Sequence, residues 1–286
     1  MKYAFIQSDL CDHDAKRACE VLGVSCSGYY KWRGSPPSAR VRRREELATK
    51  IQAAHAENRG VYGSPRIHQV LVARGQEVCL NTVASVMKER HIRAKTKKKY
   101  IPRTTDSAHD QPISPNRLDR EFTATLPNQK WVTDITYIPT DEGWLYLAGV
   151  MDLCSRKIVG WAMREHMEAS LASEALRMAI VHRNPRAGLL HHSDRGSQYA
   201  SDDYQKILKD YKMESSMSGK GDCWDNAAAE SFWSTLKTEL VHHQHYATRE
   251  EARQSIFEYI EVFYNRKRLH SSIGYTSPET FEARLN

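Results

Sequence analysis

Trp131-Val132-Thr133-Asp134-Ile135-Thr136-Tyr137-Ile138 is the stretch that decides the fold. Aromatic and β-branched residues fill it, so it reads as a strand over 130–138. Asp141-Glu142-Gly143 is a turn signal, and apolar runs at 144–152 and 157–163 give two more strands in hairpin order. The pattern then changes. A helical period covers 169–183 and stops at Asn184-Pro185, a short strand follows at 188–193, and Ser201 caps a helix. A strand near 212–216, a loop through Gly219 and Gly221, and a long helix at 224–241 complete the unit. Hairpins followed by β/α alternation predict an α/β fold, a mixed sheet with helices on its faces. A further helix, 249–264, leads into a basic tail, Arg266-Lys267-Arg268.

Three carboxylates stand out on this frame. Asp134 lies inside the first strand, among Trp131, Val132, Ile135 and Ile138. Asp194 closes the run Leu189-Leu190-His191-His192-Ser193-Asp194, and Glu230 lies in the helix Asp225-Asn226-Ala227-Ala228-Ala229-Glu230-Ser231-Phe232-Trp233, with 35 residues between the two acids. A lone acid is normally a solvated surface charge, but Asp134 sits in an apolar run. Two aspartates from strands and a glutamate from a helix can converge on a pair of divalent cations, as sites that cut and join phosphodiesters do. Mg²⁺ takes oxygen ligands and keeps positions for substrate phosphates. Asp134 is expected to bridge two ions, with Asp194 on one and Glu230 on the other, and Mn²⁺ is expected to substitute.

The neighbours of the triad need sorting. At about 100° per residue, Asn226, Glu230 and Lys237 share one helical face, and Phe232, Trp233, Leu236 and Leu240 supply the packing side. Lys237 reads either as a phosphate contact beside the metals or as an ordinary exposed lysine. Arg195 and Lys220 are similar candidates by position alone. Asp225 reads as the N-cap of the Glu230 helix, Asp152 as a strand-end turn residue, and His191 and His192 as core groups. No His/Cys pair has zinc spacing.

The net charge of +7 is unevenly spread. Residues 1–120 hold 23 Lys and Arg against 12 Asp and Glu, an excess of +11; residues 121–286 hold 19 against 23, which is −4. A basic N-terminal part beside an acidic C-terminal part predicts a nucleic-acid partner for the first and metal ligands in the second. Residues 15–33 form two short helices about Gly23, read either as a helix-turn-helix remnant or as a plain helical hairpin. Beyond Pro36-Pro37, a helix from Ala39 to Asn58 carries Arg42, Arg43 and Arg44 at its start. Ser64 is read as the cap of a helix with Pro65 in its first turn, ended by Gly75, and Asn81 or Thr82 as the start of another that runs to His91. Helix, glycine turn, helix is a DNA-binding pattern, and Lys95, Lys97, Lys98 and Lys99 follow it as candidate phosphate contacts. Four prolines mark 101–128 as a linker. The division expected is 1–38, a short helical segment; 39–100, a helix-turn-helix domain with its basic run; 101–128, the linker; and 129–286, a catalytic core with a C-terminal helix and basic tail. Six cysteines without a C-x-x-C pair fit reduced thiols, no secretory signal opens the chain, and no apolar run approaches the ~20 residues of a membrane span. The expected location is the cytoplasm.

The segment from about 129 to 282 resembles the catalytic core of the retroviral-integrase superfamily. More closely it is similar to the downstream-frame product of bacterial insertion-sequence transposases made from two overlapping reading frames. The blocks that carry the resemblance are Trp131 to Tyr137, His192-Ser193-Asp194-Arg195-Gly196-Ser197-Gln198-Tyr199, Ser218 to Ala227 leading to Glu230-Ser231-Phe232, and Tyr264-Asn265 with Arg268 to Tyr275 and Ser277-Pro278. The region from Ser64 to Lys95 resembles the helix-turn-helix that precedes the core in the same family. The resemblance implies a ribonuclease-H-like fold with Asp134, Asp194 and Glu230 as the triad. It implies an enzyme that binds the terminal repeats of its element and target DNA, then cleaves and transfers strands with two Mg²⁺ ions. It also implies a homo-oligomer in the synaptic complex and fusion to, or association with, an upstream-frame product. Two other functions fit parts of the pattern: a catalytically inert helix-turn-helix regulator, which the intact triad opposes, and a ribonuclease-H-type nuclease, which the DNA-binding helices oppose.

Overall fold

The computed structural model describes residues 2–96, 112–219 and 223–285. The chain opens with six helices: α1 (Lys2–Ser8), α2 (Ala15–Val21), α3 (Cys26–Gly34), α4 (Ala39–Glu57), α5 (Ser64–Ala73) and α6 (Leu80–Glu89). Asp14 caps α2 and Ser25 caps α3, and Gly23 turns the chain between them at φ +61°. These first helices close a small core of their own from Ile6, Ala18, Cys19 and Tyr29. The next three pack through Ala48, Ile51 and Ala54 of α4, Ile67 and Leu71 of α5, and Val83, Val86 and Met87 of α6. Two caps differ from expectation. Ser64 is the first helical residue of α5 and Gly63 is its cap, so Pro65 falls in the first turn. Cys79 stands at the α6 cap in place of Asn81 or Thr82, and its Sγ lies 3.0 Å from the Thr82 hydroxyl.

The second half holds β1 (Lys130–Thr140), β2 (Gly143–Asp152), β3 (Ile158–Arg164), α7 (Ala169–Arg183), β4 (Leu190–Ser193), α8 (Ser197–Ala200), α9 (Asp202–Asp210), β5 (Glu214–Met217) and α10 (Ala227–Glu239). α11 (Arg249–Phe257) runs on as a π-helix through Glu258–Tyr264, and α12 (Pro278–Ala283) follows. The five strands lie in the order β3-β2-β1-β4-β5. The first three pair antiparallel as a meander, while β4 and β5 join β1 in parallel.

Side chains alternate across a strand, and both faces of this sheet are covered, which is why β1 reads as an almost unbroken apolar run. Trp131 faces one core with Leu171, Ala175, Leu176 and Ala179 of α7. Val132 and Ile138 face the other, with Phe232, Trp233 and Leu236 of α10 and Ile256 of α11. At Gly160 the approach of α7 is too close for any other residue: a Cβ there would stand 2.3 Å from the Ala175 carbonyl oxygen and 2.6 Å from the Ala179 nitrogen.

The second core continues into the α4–α6 unit. The Tyr62 hydroxyl accepts from the Leu269 N–H at 2.7 Å, and Arg66 Nε donates to the Leu269 carbonyl at 2.9 Å. Arg59 pairs with Glu258 at 2.6 Å. The run expected as a basic tail is therefore partly interior: Arg268 is only 4% exposed and holds Glu239, because a buried carboxylate 29 residues earlier needs a partner. The described end of the expected linker is also pinned, with the N–H groups of Arg117 and Leu118 donating to Ser216 Oγ at 2.9 and 3.2 Å. Among the described residues no helix is long and apolar enough to cross a membrane.

Candidate active site

The parallel pairing of β1 with β4 sets the first two carboxylates side by side. Val132 pairs with His192. Asp134 and Asp194 each stand two residues further along adjacent chains, and paired strands lie about 4.8 Å apart. Asp134 Oδ1 accepts from the Ile135 N–H at 2.8 Å, and its Oδ2 accepts from Trp233 Nε1 at 3.0 Å. Asp194 Oδ1 accepts from the Gly196 N–H at 2.9 Å in the turn that leaves β4.

Glu230 completes the group from the first turn of α10 and is exposed. That turn is tied to β1 by Asn226, whose Nδ2 donates to the Thr133 carbonyl at 3.1 Å. The Asn226 Oδ1 is buried with no partner. The three acids lie within range of one another's charge. Burial, then the Asp194 charge and more weakly Glu230, push the Asp134 carboxyl up to about 8. Burial, then Asp194, also raises Glu230. A divalent cation reverses this logic, since charges that repel one another become its ligands. The donor set is all carboxylate oxygen, which suits Mg²⁺ or Mn²⁺ and not zinc. Among the described residues no group of three His, Cys, Asp or Glu side chains is positioned to hold a metal ion as it stands. The arrangement is an open one, with carboxylates on two chain segments of the sheet and one helix.

Trp233 is the residue that sequence reasoning undervalued, treating it as packing alone. Its indole covers Gly149, the cross-strand partner of Asp134, where a Cβ would stand 2.8 Å from Cη2. A glycine inside an apolar strand signals a close approach of this kind. Lys237, two turns beyond Glu230, lies with Nζ 4.8 Å from the Tyr137 ring centroid. Burial lowers its pKa while the Asp134 charge opposes that shift.

Asp225 is not the helix cap, a position that Asn226 takes without a side-chain bond. Asp225 is turned inward, where it accepts from the Gly219 N–H (2.8 Å), Asn116 Nδ2 (2.9 Å) and Arg120 Nε (3.0 Å). Burial alone would raise its pKa, but the Gly219 and Arg120 donors outweigh that and hold it low. Asp152 is a buried strand-end group that accepts from the N–H groups of Asn128 and Cys154. His191 meets the Tyr204 hydroxyl at 3.1 Å, and His192 lies between the hydroxyls of Ser216 and Ser218. Burial lowers the pair to about 3 and about 4, so both are neutral core groups.

The basic candidates divide. Arg42 and Arg43 are exposed on α4. Arg44 is not open in the same way, because it bonds Glu89 and Ser85 of α6. Lys95 turns inward, with Nζ 3.3 Å from the Glu239 carbonyl, which places its charge at a helix C-terminus instead of on an outer arm. Arg195 Nε donates to the Ser218 carbonyl at 2.6 Å, bracing the loop after β5. Lys97, Lys98, Lys99 and Lys220 lie outside the described residues.

Three family models match the chain. The family model of an integrase core domain matches residues 124–223, a second integrase core domain model matches 230–285, and an HTH-like domain matches 42–100. The insertion element IS600 31 kDa protein of Shigella sonnei is 47% identical over 268 residues, 94% of this chain and 98% of the relative. Transposase InsF for insertion sequence IS3A of Escherichia coli K12 is 44% identical over 284 residues, 99% of this chain and 98% of the relative. A simian T-cell lymphotropic virus intasome aligns over 82% of this chain and 74% of its own at 14% identity and a TM-score of 0.47. With 44–47% identity to insertion-element proteins over nearly its whole length, an integrase core and an HTH-like domain, the chain belongs to the insertion-sequence transposase family of InsF from IS3.

Proposed function

We propose that this transposase cuts and joins DNA strands at Asp134, Asp194 and Glu230, which hold two divalent ions, Mg²⁺ or Mn²⁺. The observation that carries the reading is the register of β1 on β4, which sets Asp134 beside Asp194 with Glu230 within range of both charges. Bound there, the cations supply Lewis-acid stabilisation of the attacking and leaving oxygens. The protein's own part is placement. Trp233 and the Ile135 N–H orient the Asp134 oxygens, and Asn226 and Asp225 fix the start of α10. The Lys237 ammonium, 4.8 Å from the Tyr137 ring and within range of the Asp134 charge, meets a phosphate next to the scissile bond. The reaction is two in-line displacements at phosphorus: water frees a 3′-hydroxyl, and that hydroxyl attacks a second strand. Residues 39–100 address the terminal repeats, with Arg42 and Arg43 exposed for phosphate contact, and residues 129–286 carry the chemistry. Two ends must be held together, so the working form is an oligomer, and an upstream-frame product adds further recognition.

The test is strand transfer with terminal-repeat DNA, Mg²⁺ and a target plasmid. Asp134→Asn, Asp194→Asn and Glu230→Gln each keep size and remove the ligand charge. Each is expected to abolish cleavage and joining while metal-free DNA binding persists. Near wild-type joining by any one variant removes that residue from the site. Nicks without joined product from the wild type would make the chain a nuclease.

A further inference from the structure

The hairpin between β1 and β2 is held more firmly than its own turn requires. The Asp141 N–H donates to the Tyr246 carbonyl at 3.0 Å, and Glu142 accepts from the Arg249 N–H at 2.8 Å. Arg249 Nε donates to the Trp144 carbonyl at 3.2 Å, and its NH1 pairs with Glu165 at 3.3 Å. Yet the Trp144 side chain, the largest group on this pinned backbone, is 46% exposed. Its indole stands edge-on to the Tyr137 ring, with centroids 4.7 Å apart. The Tyr137 ring in turn carries the Lys237 ammonium at 4.8 Å. Tyr137 is three residues beyond Asp134 on the same strand, and Trp144 pairs with Pro139, two residues further on, about 17 Å from Asp134 at about 3.3 Å per residue.

From this arrangement we propose that Trp144 is a stacking platform for a nucleobase freed from the duplex close to the scissile phosphate. The proposal rests on the transposase reading and deepens it by naming a subsite. The chemistry favours a base over the sugar–phosphate chain. The charged groups of the hairpin are mixed, with Asp141, Glu142 and Glu165 drawn to His245 and Arg249, so Trp144 lies in no field that would gather phosphates. An exposed, rigidly mounted indole gives instead a flat apolar face, which any base can cover. Lys237 lies between platform and triad, where the phosphate joining the stacked nucleotide to the reacting one would pass. A separation of about 17 Å corresponds to about five nucleotide steps at about 3.4 Å each. The stacked base must be unpaired, because a base inside the helix has both faces covered by its neighbours.

The experiment uses the full chain and the inverted-repeat DNA that flanks its coding region. In one series, 2-aminopurine replaces a single base at each of the six positions on either side of the cleavage point, and its fluorescence reports stacking during binding, before any chemistry. In a second series an abasic site occupies the same positions, and kcat/KM for cleavage is measured. The proposal expects one position whose emission differs between the wild type and Trp144→Ala, with Trp144→Phe close to the wild type. At that position Trp144→Ala should lower kcat/KM about 5- to 150-fold, the equivalent of about 1–3 kcal/mol for one stacked base. An abasic site there should cost the wild type a similar factor and leave the Ala variant unaffected. Identical emission for the wild type and Trp144→Ala at every position overturns the proposal, as does an equal loss on intact and abasic DNA. A wild type that cleaves nothing in Mg²⁺ or Mn²⁺ would instead sink the catalytic reading, and the fluorescence series would still decide the platform.

Discussion

Gly149→Ala tests whether Trp233 sets Asp134. The added Cβ would lie 2.8 Å from Cη2 and 3.3 Å from Cζ2 of the indole, where carbon atoms at rest stand about 3.5–4.0 Å apart. The ring must therefore retreat by roughly 0.7–1 Å. Its Nε1–H now reaches Asp134 Oδ2 at 3.0 Å, and a retreat of that size takes it out of hydrogen-bond range. Overpacking of this kind costs about 1–3 kcal/mol of stability. A hydrogen bond to a charged acceptor contributes about 1.5–3 kcal/mol, so single-turnover cleavage at saturating DNA should fall about 10- to 150-fold. Trp233→Phe should lose a similar factor in rate, because the donor is gone. It also removes the ring edge that the new methyl strikes. The double variant should therefore be about 1–3 kcal/mol more stable than the sum of its parts, while its activity stays at the Trp233→Phe level. Urea unfolding and single-turnover cleavage of the four proteins give the cycle. Additive stabilities within about 0.5 kcal/mol, or a Gly149→Ala protein of full activity, would refute this account of Asp134.

Three further outcomes follow from residues away from the triad. Replacing Lys97, Lys98 and Lys99 by Ala should lower the slope of log affinity against log salt by up to about 2.7, at about 0.9 per lost phosphate contact; adding Lys95→Ala should leave the slope where it is, because Lys95 is bonded to the Glu239 carbonyl, and a further fall of about 0.9 would show that its charge meets DNA. Arg268→Met strands the Glu239 carboxylate, 7% exposed, and should cost about 3–5 kcal/mol in urea unfolding, with a loss under about 1 kcal/mol showing that Tyr259 and Arg66 suffice as partners. His270 is lowered to about 2 by burial and then by Arg268, Arg66 and Arg156, with the Tyr264 ring beside it. The unfolded chain therefore takes up a proton near pH 6.5 that the folded chain refuses, and stability should fall as pH drops, by up to about 2 kcal/mol at pH 5. His270→Gln should flatten that loss, and an unchanged acid profile would mean that His270 protonates in the folded protein.

The sheet and its acids were legible because local signals agree with the tertiary result. β-Branched and aromatic runs mark β1 to β3, and Asp134 is the one charge inside such a run. Asn184 ends α7 in the left-handed conformation, as Asn184-Pro185 suggested. What could not be read depends on partners far away in sequence. Nothing local separates Arg268 from Arg266 and Lys267, since its burial is decided by Glu239. Lys95 looks like Lys97 to Lys99 until the end of α10 is placed beside it. Asp225 and Asn226 are both good cap residues, and the donors of Gly219, Asn116 and Arg120 decide which of them turns inward. Short elements were missed as well. α8 spans only Ser197–Ala200 and α1 only Lys2–Ser8, although Ser277-Pro278 does announce α12.

The lower end of α10 explains how DNA addressing and chemistry share one frame. Glu230 stands in the first turn of this helix and Glu239 is its last residue. Around Glu239 gather Arg268 and Tyr259 from the C-terminal segment, Arg66 from α5 at 3.9 Å, and Lys95 from the chain just beyond α6. The α4–α6 unit thus packs on the C-terminal segment and on the end of the helix that carries the third carboxylate. At the other end, Asn226 and Asp225 tie α10 to β1 and to the segment at 116–120. The helix is therefore gripped at both ends by parts that come before the sheet in sequence. Its Glu230 is also the most exposed of the three acids. Glu230 is the carboxylate whose position depends most on the rest of the chain, whereas Asp134 stands within β1 and Asp194 in the turn that leaves β4.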